Sequence, residues 1–428
     1  MFFTQEENLD RFRNRRLTII EQIKKLHPDV KNAVLLLVSN FETDRHAFKQ
    51  ESSFYYLSGI VEPATVLCCY FDGPEIVYIP FYASSREQWV KTDLNIKTDP
   101  LSLSVDQIKY LGQEIRGYSC PPLFTPERYS ELAADLKKYL GQGGVVYTLM
   151  DSSCSRYFTQ MQFIARLQEW LLDCQIIMRN ASSIVHHLRR AKDNHEINLI
   201  YKAAQITSTA MKVAAKSIKP EKYEYQVQAL IEYVFKEAAS SDSAFPSIVA
   251  TGINTTILHS SDRNNQLKDG DLVVVDIGAE FGNYASDLTR TFPVSGKFTA
   301  RQKEVYEVVL QTQKHVESMA IPGMFLNNPK LPEKSLHHQA IDFLDKLGYA
   351  QYFVHGIGHF LGLDVHDVGN TEIELRLGDV FTIEPGVYIP QENIGIRIED
   401  DYVMTGEGCV CLSEGLPKSA DGIETIMK

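Results

Sequence analysis

Three absences narrow the field before any motif is read. The 428-residue chain has no Cys-x-x-Cys pair, and its seven cysteines (68, 69, 120, 154, 174, 409 and 411) are odd in number. That pattern opposes both a disulfide framework and a zinc-thiolate site. Cations are outnumbered, with 43 Lys and Arg against 55 Asp and Glu. The net charge of −12 opposes a nucleic-acid surface, which depends on cations at phosphates. No apolar run approaches the roughly 20 residues that a membrane helix needs. The opening Met-Phe-Phe-Thr-Gln-Glu-Glu lacks the basic and apolar segments of a secretory leader. A reducing cytoplasm is the expected setting, with neither nucleic acid nor membrane as partner. What is present, 44% hydrophobic and 23% charged residues, suits a globular protein of two or three domains.

Strand and helix patterns interleave over the first 175 or so residues. An amphipathic helix is expected over 8–26, and buried strands at 33–38, 65–71 and 75–80. Helices follow near 105–116 and 126–140, then a strand at 145–149 and a helix at 157–172. Such alternation predicts an α/β domain. The second part reads twice as paired helices followed by strands. The first round has helices at 193–218 and 222–239 and strands from 246. The second has helices at 299–319 and from 332 or 333 to 348, with strands from Tyr352 to the end. Each round ends with acidic residues on strands, which predicts a pseudo-symmetric domain with a site between its halves.

The stretch from Val273 to Phe292 reads as two strands joined at Gly282-Asn283, residues that tolerate the positive φ of a tight hairpin turn. That turn pairs 281 with 284, and by the same count Asp276 with Thr289. Asp276, Asp287 and Thr289 then share one face. Two carboxylates among Val, Ile and Phe must be solvated at a strand end or hold a cation. The hairpin alone leaves both readings open, and Thr289 is expected to support Asp276.

Three more stretches lie downstream. His355-Gly-Ile-Gly-His359-Phe-Leu-Gly-Leu-Asp-Val-His366 sets three imidazoles among glycines. Glu384-Pro-Gly ends an apolar strand. Gly395-Ile-Arg397-Ile-Glu399-Asp-Asp401 puts an Arg and a Glu two apart. Asp276, Asp287, His359, Glu384 and Glu399 offer four carboxylates and one imidazole, a donor set for Mn²⁺, Co²⁺, Fe²⁺ or Zn²⁺. Four carboxylates around one dication would leave excess negative charge, so two divalent ions are expected.

These residues resemble the proline-specific pita-bread metallopeptidases, Xaa-Pro aminopeptidase and Xaa-Pro dipeptidase. The likeness also takes in Ile248-Val-Ala-Thr-Gly, Leu258-His259 and, nearer the N-terminus, Phe48-Lys-Gln-Glu-Ser-Ser-Phe-Tyr-Tyr-Leu-Ser-Gly59 with Glu62-Pro63. The resemblance implies an α/β aminopeptidase-P-type domain over 1–178 and a pita-bread catalytic domain over 179–428. It implies two ions, Mn²⁺ foremost, held by Asp276, Asp287, His359, Glu384 and Glu399, with Asp287 and Glu399 shared. A hydroxide between the ions would attack the carbonyl before proline, and Glu384 would shuttle its proton to the leaving nitrogen. His355 and His366 would flank the substrate, His366 as oxyanion donor, and His259 would line the proline end. Arg397 and Tyr388 would steady the cluster. Trp89 and Phe245 would wall the proline ring.

Two departures from the family stand out. Ser260 follows His259 where an aromatic residue is common, and Phe245 stands where a Tyr is often found. The implied partners are proline-containing peptides and further copies of the chain, as a homodimer or homotetramer to which Asp44 could contribute. Aminopeptidase activity is favoured, with the dipeptidase as alternative. A metal-free hydrolase resembling creatinase, or a non-catalytic protein on the same fold, would have lost ligands that this chain keeps.

Overall fold

The computed structural model describes residues 5–42, 48–115, 124–150, 157–238 and 243–428, with side chains from residue 10 onward. Asp44 lies outside the described residues. The chain divides into two units, Met1–Arg189 and Arg190–Lys428.

The first unit runs α1 (Gln5–Leu26), β1 (Ala33–Val38), α2 (Ser52–Ser58), β2 (Val66–Tyr70), β3 (Glu75–Ile79), β4 (Gln107–Tyr110), α3 (Ser130–Leu140), β5 (Val145–Thr148), α4 (Phe158–Trp170), β6 (Ile177–Asn180) and α5 (Ser182–Arg190), the last crossing the division. Its strands form one mixed sheet in the order β4-β3-β2-β1-β5-β6. The apolar run of β1 is buried throughout because it is central. The Phe48–Gly59 motif proves to be α2 and its caps. Glu51 accepts the backbone N–H of Ser53 and Phe54 at 3.0 and 2.7 Å, and Gly59 ends the helix at φ 69°.

One expectation fails in this unit: 105–116 is not a helix. Val105, Ile108, Leu111 and Ile115 have helix-like spacing, and all four are buried. Yet residues 107–110 pair in parallel with β3, from Ile76↔Gln107 to Ile79↔Tyr110. The same spacing is met by a short strand with a turn on either side, and sheet pairing decides between them.

The second unit begins with α6 (Asn194–Ser217) and α7 (Glu224–Glu237). Asp193 and Glu196 form a capping box at the start of α6. Next come β7 (Ile248–Thr251), β8 (Leu272–Ile277), β9 (Glu280–Phe281), β10 (Tyr284–Ala285) and β11 (Leu288–Pro293). The second round has α8 (Ala300–Met319), α9 (Leu336–Lys346), β12 (Val380–Ile383), β13 (Gly386–Ile389), β14 (Ile394–Arg397), β15 (Asp400–Met404), β16 (Cys409–Cys411) and α10 (Ala420–Ile426). Each round supplies a three-stranded sheet and a hairpin: β11-β8-β7 with β9-β10, then β12-β15-β16 with β13-β14. The repeat read from the sequence is therefore real.

The halves meet where Thr289 and Glu399 exchange backbone hydrogen bonds of 3.3 and 3.1 Å. Arg290, fully buried, ties the joint. It donates to the carbonyls of Thr289 and Glu399 at 2.8 and 2.7 Å and to Asp400 Oδ1 at 2.7 Å.

Strands do not fill the chain from Tyr352 onward. Residues 353–379 carry no strand, only the isolated bridges Phe360↔Phe381 and Ala191↔Asp379, and the chain closes on α10. The glycines explain the irregular loop. A Cβ at Gly358 would lie 2.0 Å from Thr382 O, and one at Gly362 would lie 2.1 Å from Asp367 Oδ2. Those glycines serve close approach, not a sheet. The loop is pinned by two buried cations, one at the end of α5 and one two residues on. Arg190 pairs with Asp379 and lies 4.6 Å over the Phe360 ring, and Lys192 Nζ lies 2.8 Å from Asp367 Oδ2.

Candidate active site

The hairpin register is the one the turn dictates. Phe281 pairs with Tyr284 and Asp276 with Thr289, while Gly282 and Asn283 take φ of 57° and 68°. Asp287 lies between β10 and β11, its backbone N–H donating to both oxygens of Asp401 at 3.2 Å. His359 comes from the irregular loop, Glu384 from the end of β12, and Glu399 from between β14 and β15. The loop is held to β12 by paired bonds: His359 N–H to Thr382 Oγ1 at 3.1 Å, and Thr382 N–H to His359 O at 2.9 Å.

These residues converge. His359 Nε2 lies 3.4 Å from Asp287 Oδ2, 3.7 Å from Glu384 Oε1 and 3.9 Å from Glu399 Oε1. Its Nδ1 is 3.1 Å from Phe360 O, which can only accept. Nδ1 therefore carries the proton, and the bare Nε2 faces the carboxylates, as a metal ligand requires. Asp287, His359 and Glu399 bring one ligand atom each within 4.8 Å of one another.

Burial and mutual repulsion dominate the electrostatics. Burial, then Asp276, Asp401 and Glu384, push the Asp287 carboxyl well above the usual range. Burial, then Asp287, Glu384 and Asp276, do the same to Glu399. Glu384 is raised by burial against the pull of His359 and Arg397. Asp276 Oδ1 and Asp287 Oδ1 are buried without a hydrogen-bond partner. Buried carboxylates this crowded need protons or cations. The orphaned oxygens and the bare imidazole nitrogen fit divalent ions.

The surrounding contacts are specific. Arg397 Nη2 grips Asp276 Oδ2 at 2.6 Å, and its Nη1 donates to Tyr388 Oη at 3.0 Å. Tyr388 Oη is in turn 2.9 Å from His355 Nε2, and His355 Nδ1 is 2.8 Å from Gly356 O. The carbonyl fixes the His355 proton on Nδ1, so the tyrosine hydroxyl donates to Nε2. Burial and then Arg397 lower His355 to about 4. Burial, then His359 and His259, lower His366 to about 4. Both imidazoles are neutral at pH 7.

The expectation for Thr289 needs correction. Its hydroxyl donates to Glu399 Oε2 at 2.7 Å, not to Asp276, whose partner is Arg397. Asp276 and Thr289 do stand opposite each other, but the β11–Glu399 joint brings a nearer acceptor. Two residues gained no role from the sequence alone. Asp401, inside the Gly395–Asp401 motif, anchors Asp287. Thr382, two before Glu384 on the same strand face, anchors His359. The period-two spacing was a signal for the second.

A cavity of ≈ 280 Å³ is lined by the five acidic and imidazole donors with His259, His355, His366 and Arg397. A second, of ≈ 340 Å³, adjoins it across Asp276, Asp287, His259 and His366. Phe245 lines the second cavity with Pro246, Ile248 and Val365, and does not line the first. Trp89 belongs to the first unit, where it is 73% exposed.

Comparison with known proteins agrees with this construction. Residues 198–406 match metallopeptidase family M24, and residues 12–114 match the aminopeptidase P N-terminal domain. The Xaa-Pro aminopeptidase of Haemophilus influenzae is 31% identical over 98% of this chain and 97% of its own length. The Xaa-Pro dipeptidase of Pyrococcus furiosus is 36% identical over 55% of this chain and 66% of its own length. The structure of proline aminopeptidase P II from Yersinia pestis has a TM-score of 0.83, with 27% identity over 99% of each chain. The chain therefore belongs to metallopeptidase family M24, in its Xaa-Pro aminopeptidase branch.

Proposed function

We propose that this protein releases the first residue from peptides whose second residue is proline. The observation that carries the proposal is the convergence of Asp287, His359 and Glu399, with Asp276 and Glu384 beside them, on a cavity large enough for a peptide end. The aminopeptidase relative aligns along nearly its whole length and the dipeptidase over little more than half of this chain, which favours the aminopeptidase reading.

Asp276, Asp287, His359, Glu384 and Glu399 are the residues that would hold two divalent ions. Such ions supply Lewis acidity, which lowers the pKa of a water and polarises the scissile carbonyl. Glu384 takes the proton of the attacking water and delivers it to the proline nitrogen, a poor leaving group until protonated. One carboxylate can serve both steps, as base and then as acid. His366, neutral, donates an N–H to the developing oxyanion. His355, locked as a hydrogen-bond acceptor from Tyr388, is positioned beside Glu384, Nδ1 to Oε2 being 3.7 Å. His259 lines the mouth of both cavities.

Manganese is the ion we propose, on the hardness of a four-carboxylate set. The domain limits 1–178 and 179–428, homodimer or homotetramer assembly and a cytoplasmic setting belong to the same reading. The described cysteines, all free, are consistent with a reducing compartment. No helix among the described residues is long and apolar enough to cross a membrane. Hydrolysis of Xaa-Pro-Yaa and Xaa-Pro peptides, with each divalent ion in turn, tests the function. Cleavage of tripeptides with release of the first residue is expected, and cleavage of dipeptides alone would assign the dipeptidase. Metal analysis and light scattering test the ion and the assembly.

A further inference from the structure

We infer that Gln313 is a positioning residue for the metal cluster: its side-chain amide replaces a backbone bond that Pro385 cannot make, and so holds Glu384 and Glu399 at their working separation. The inference rests on the metallopeptidase reading above and deepens it, because it names what keeps two opposed ligands in register.

The need arises in the backbone. β12 with β15 and β13 with β14 keep one register, Ile383 opposite Asp400 and Gly386 opposite Arg397. Glu384 therefore stands opposite Glu399, and Pro385 opposite Ile398. The backbone N–H of Glu384 goes to Ile357 O at 2.9 Å and that of Glu399 to Thr289 O at 3.1 Å, so the two glutamates bond outward and not to each other. Residues opposed in this way carry their side chains on one face at the closer of the two spacings in an antiparallel pair, and like charges there repel. The next pair should resist that repulsion with two backbone bonds but has one. Ile398 N–H donates to Pro385 O at 3.3 Å, while proline has no N–H to return to Ile398 O.

Gln313 supplies the missing donor. It lies on α8 and is fully buried. Its Nε2 is 3.4 Å from Ile398 O, 3.1 Å from Ile383 O and 3.0 Å from Asp400 Oδ2. Three acceptors around one atom require the amide nitrogen there, and Oε1 is left buried without a partner. An unpaired buried oxygen is costly, and an apolar side chain kept for packing alone would not carry that cost. One amide thus bridges the residue before Glu384 and the residue before Glu399. It also reaches Asp400, the partner of Arg290 at the joint between the halves.

The test is Gln313→Met, close in size and unable to donate. Affinity for Mn²⁺ and Co²⁺ is read by competition with a chelator, and the visible absorption of the Co²⁺ form reports ligand geometry. Affinity should fall about 10–100-fold, the range for residues that orient metal ligands. The Co²⁺ spectrum should change, and kcat should fall more than KM rises. Adding Pro385→Ala gives Ile398 O a backbone N–H and should recover part of the affinity. Thr312→Val is the control, since Thr312 is equally buried but its hydroxyl donates to Val308 O of its own helix at 2.8 Å. It should lower the melting temperature and leave metal affinity and the Co²⁺ spectrum unchanged. Unchanged affinity in folded Gln313→Met, an equal loss in Thr312→Val, or a double variant no better than the single would each overturn the inference. If Gln313→Met alone does not fold, the double variant is compared with Pro385→Ala. Comparable affinity then supports the inference, and an unfolded or weakly binding double variant overturns it. A parent that binds no divalent ion would instead overturn the metallopeptidase reading.

Discussion

Glu384 and Arg290 illustrate how differently buried charges behave at the scale of single residues. Glu384 sits among like charges, so it is costly to fold and useful to chemistry. Glu384→Gln should lower kcat by about 10²–10⁴-fold, the usual range for a lost acid–base group. The metal-free melting temperature should hold or rise, because a repulsive partner is gone. Calorimetry beside steady-state kinetics checks both. Arg290 sits opposite Asp400. Burial alone would raise that carboxyl, but Arg290 and Lys418 outweigh it and hold it below its ordinary value. A depressed carboxylate contributes stability above its unfolded pKa, and that contribution is lost as pH falls through the folded value. Arg290→Gln should cost about 3–5 kcal/mol in urea unfolding at pH 7, as removal of one buried partner does. It should also move the acid transition to higher pH. The five candidate donors could be picked out of the sequence by type and order, and the structure brings ligand atoms of Asp287, His359 and Glu399 within 4.8 Å of one another. The partner of Asp276 was not. Arg397 and Thr289 both lie within reach of the hairpin face, and only the packing of β14 against β11 decides which one bonds.

Among the elements, regular hairpins declared themselves and irregular ones did not. A two-residue turn fixes register by counting, so Asp276 opposite Thr289 could be read from Gly282-Asn283 alone. Residues 105–116 misled because four buried apolar side chains at spacings of three and four serve a short strand as well as a helix. The loop at 353–379 misled because its glycines signal close approach without saying to what. Nothing near His366 in sequence points to Lys192, yet that lysine, nearly buried, pairs with Asp367 beside the proposed oxyanion donor. Lys192→Met should accelerate amide hydrogen exchange across 361–369 and leave β8 and β11 protected. It should lower kcat more than it raises KM, with Lys192→Arg recovering part of the loss. Unchanged exchange in the loop would remove the brace from the account.

For the whole protein, metal and fold are linked through the same carboxylates. Without ions, Asp287, Glu384 and Glu399 have folded pKa values above their unfolded ones. Such groups favour the folded state only at low pH, and the advantage is lost as pH rises through the folded values. Ions bound to the folded state offset this by mass action. Chelation should therefore lower the melting temperature more at pH 8 than at pH 5.5, and an equal drop at both would contradict the cluster's electrostatics. The joint between the halves bears on timing as well. Asp276 and Asp287 come from the first round of helices and strands, and His359, Glu384 and Glu399 from the second. A ribosome-bound chain holding only the first round has two of the five proposed ligands and lacks the proposed proton shuttle. Hydrolysis thus waits on the last strands, and a nascent or truncated copy is barred from acting on its neighbours.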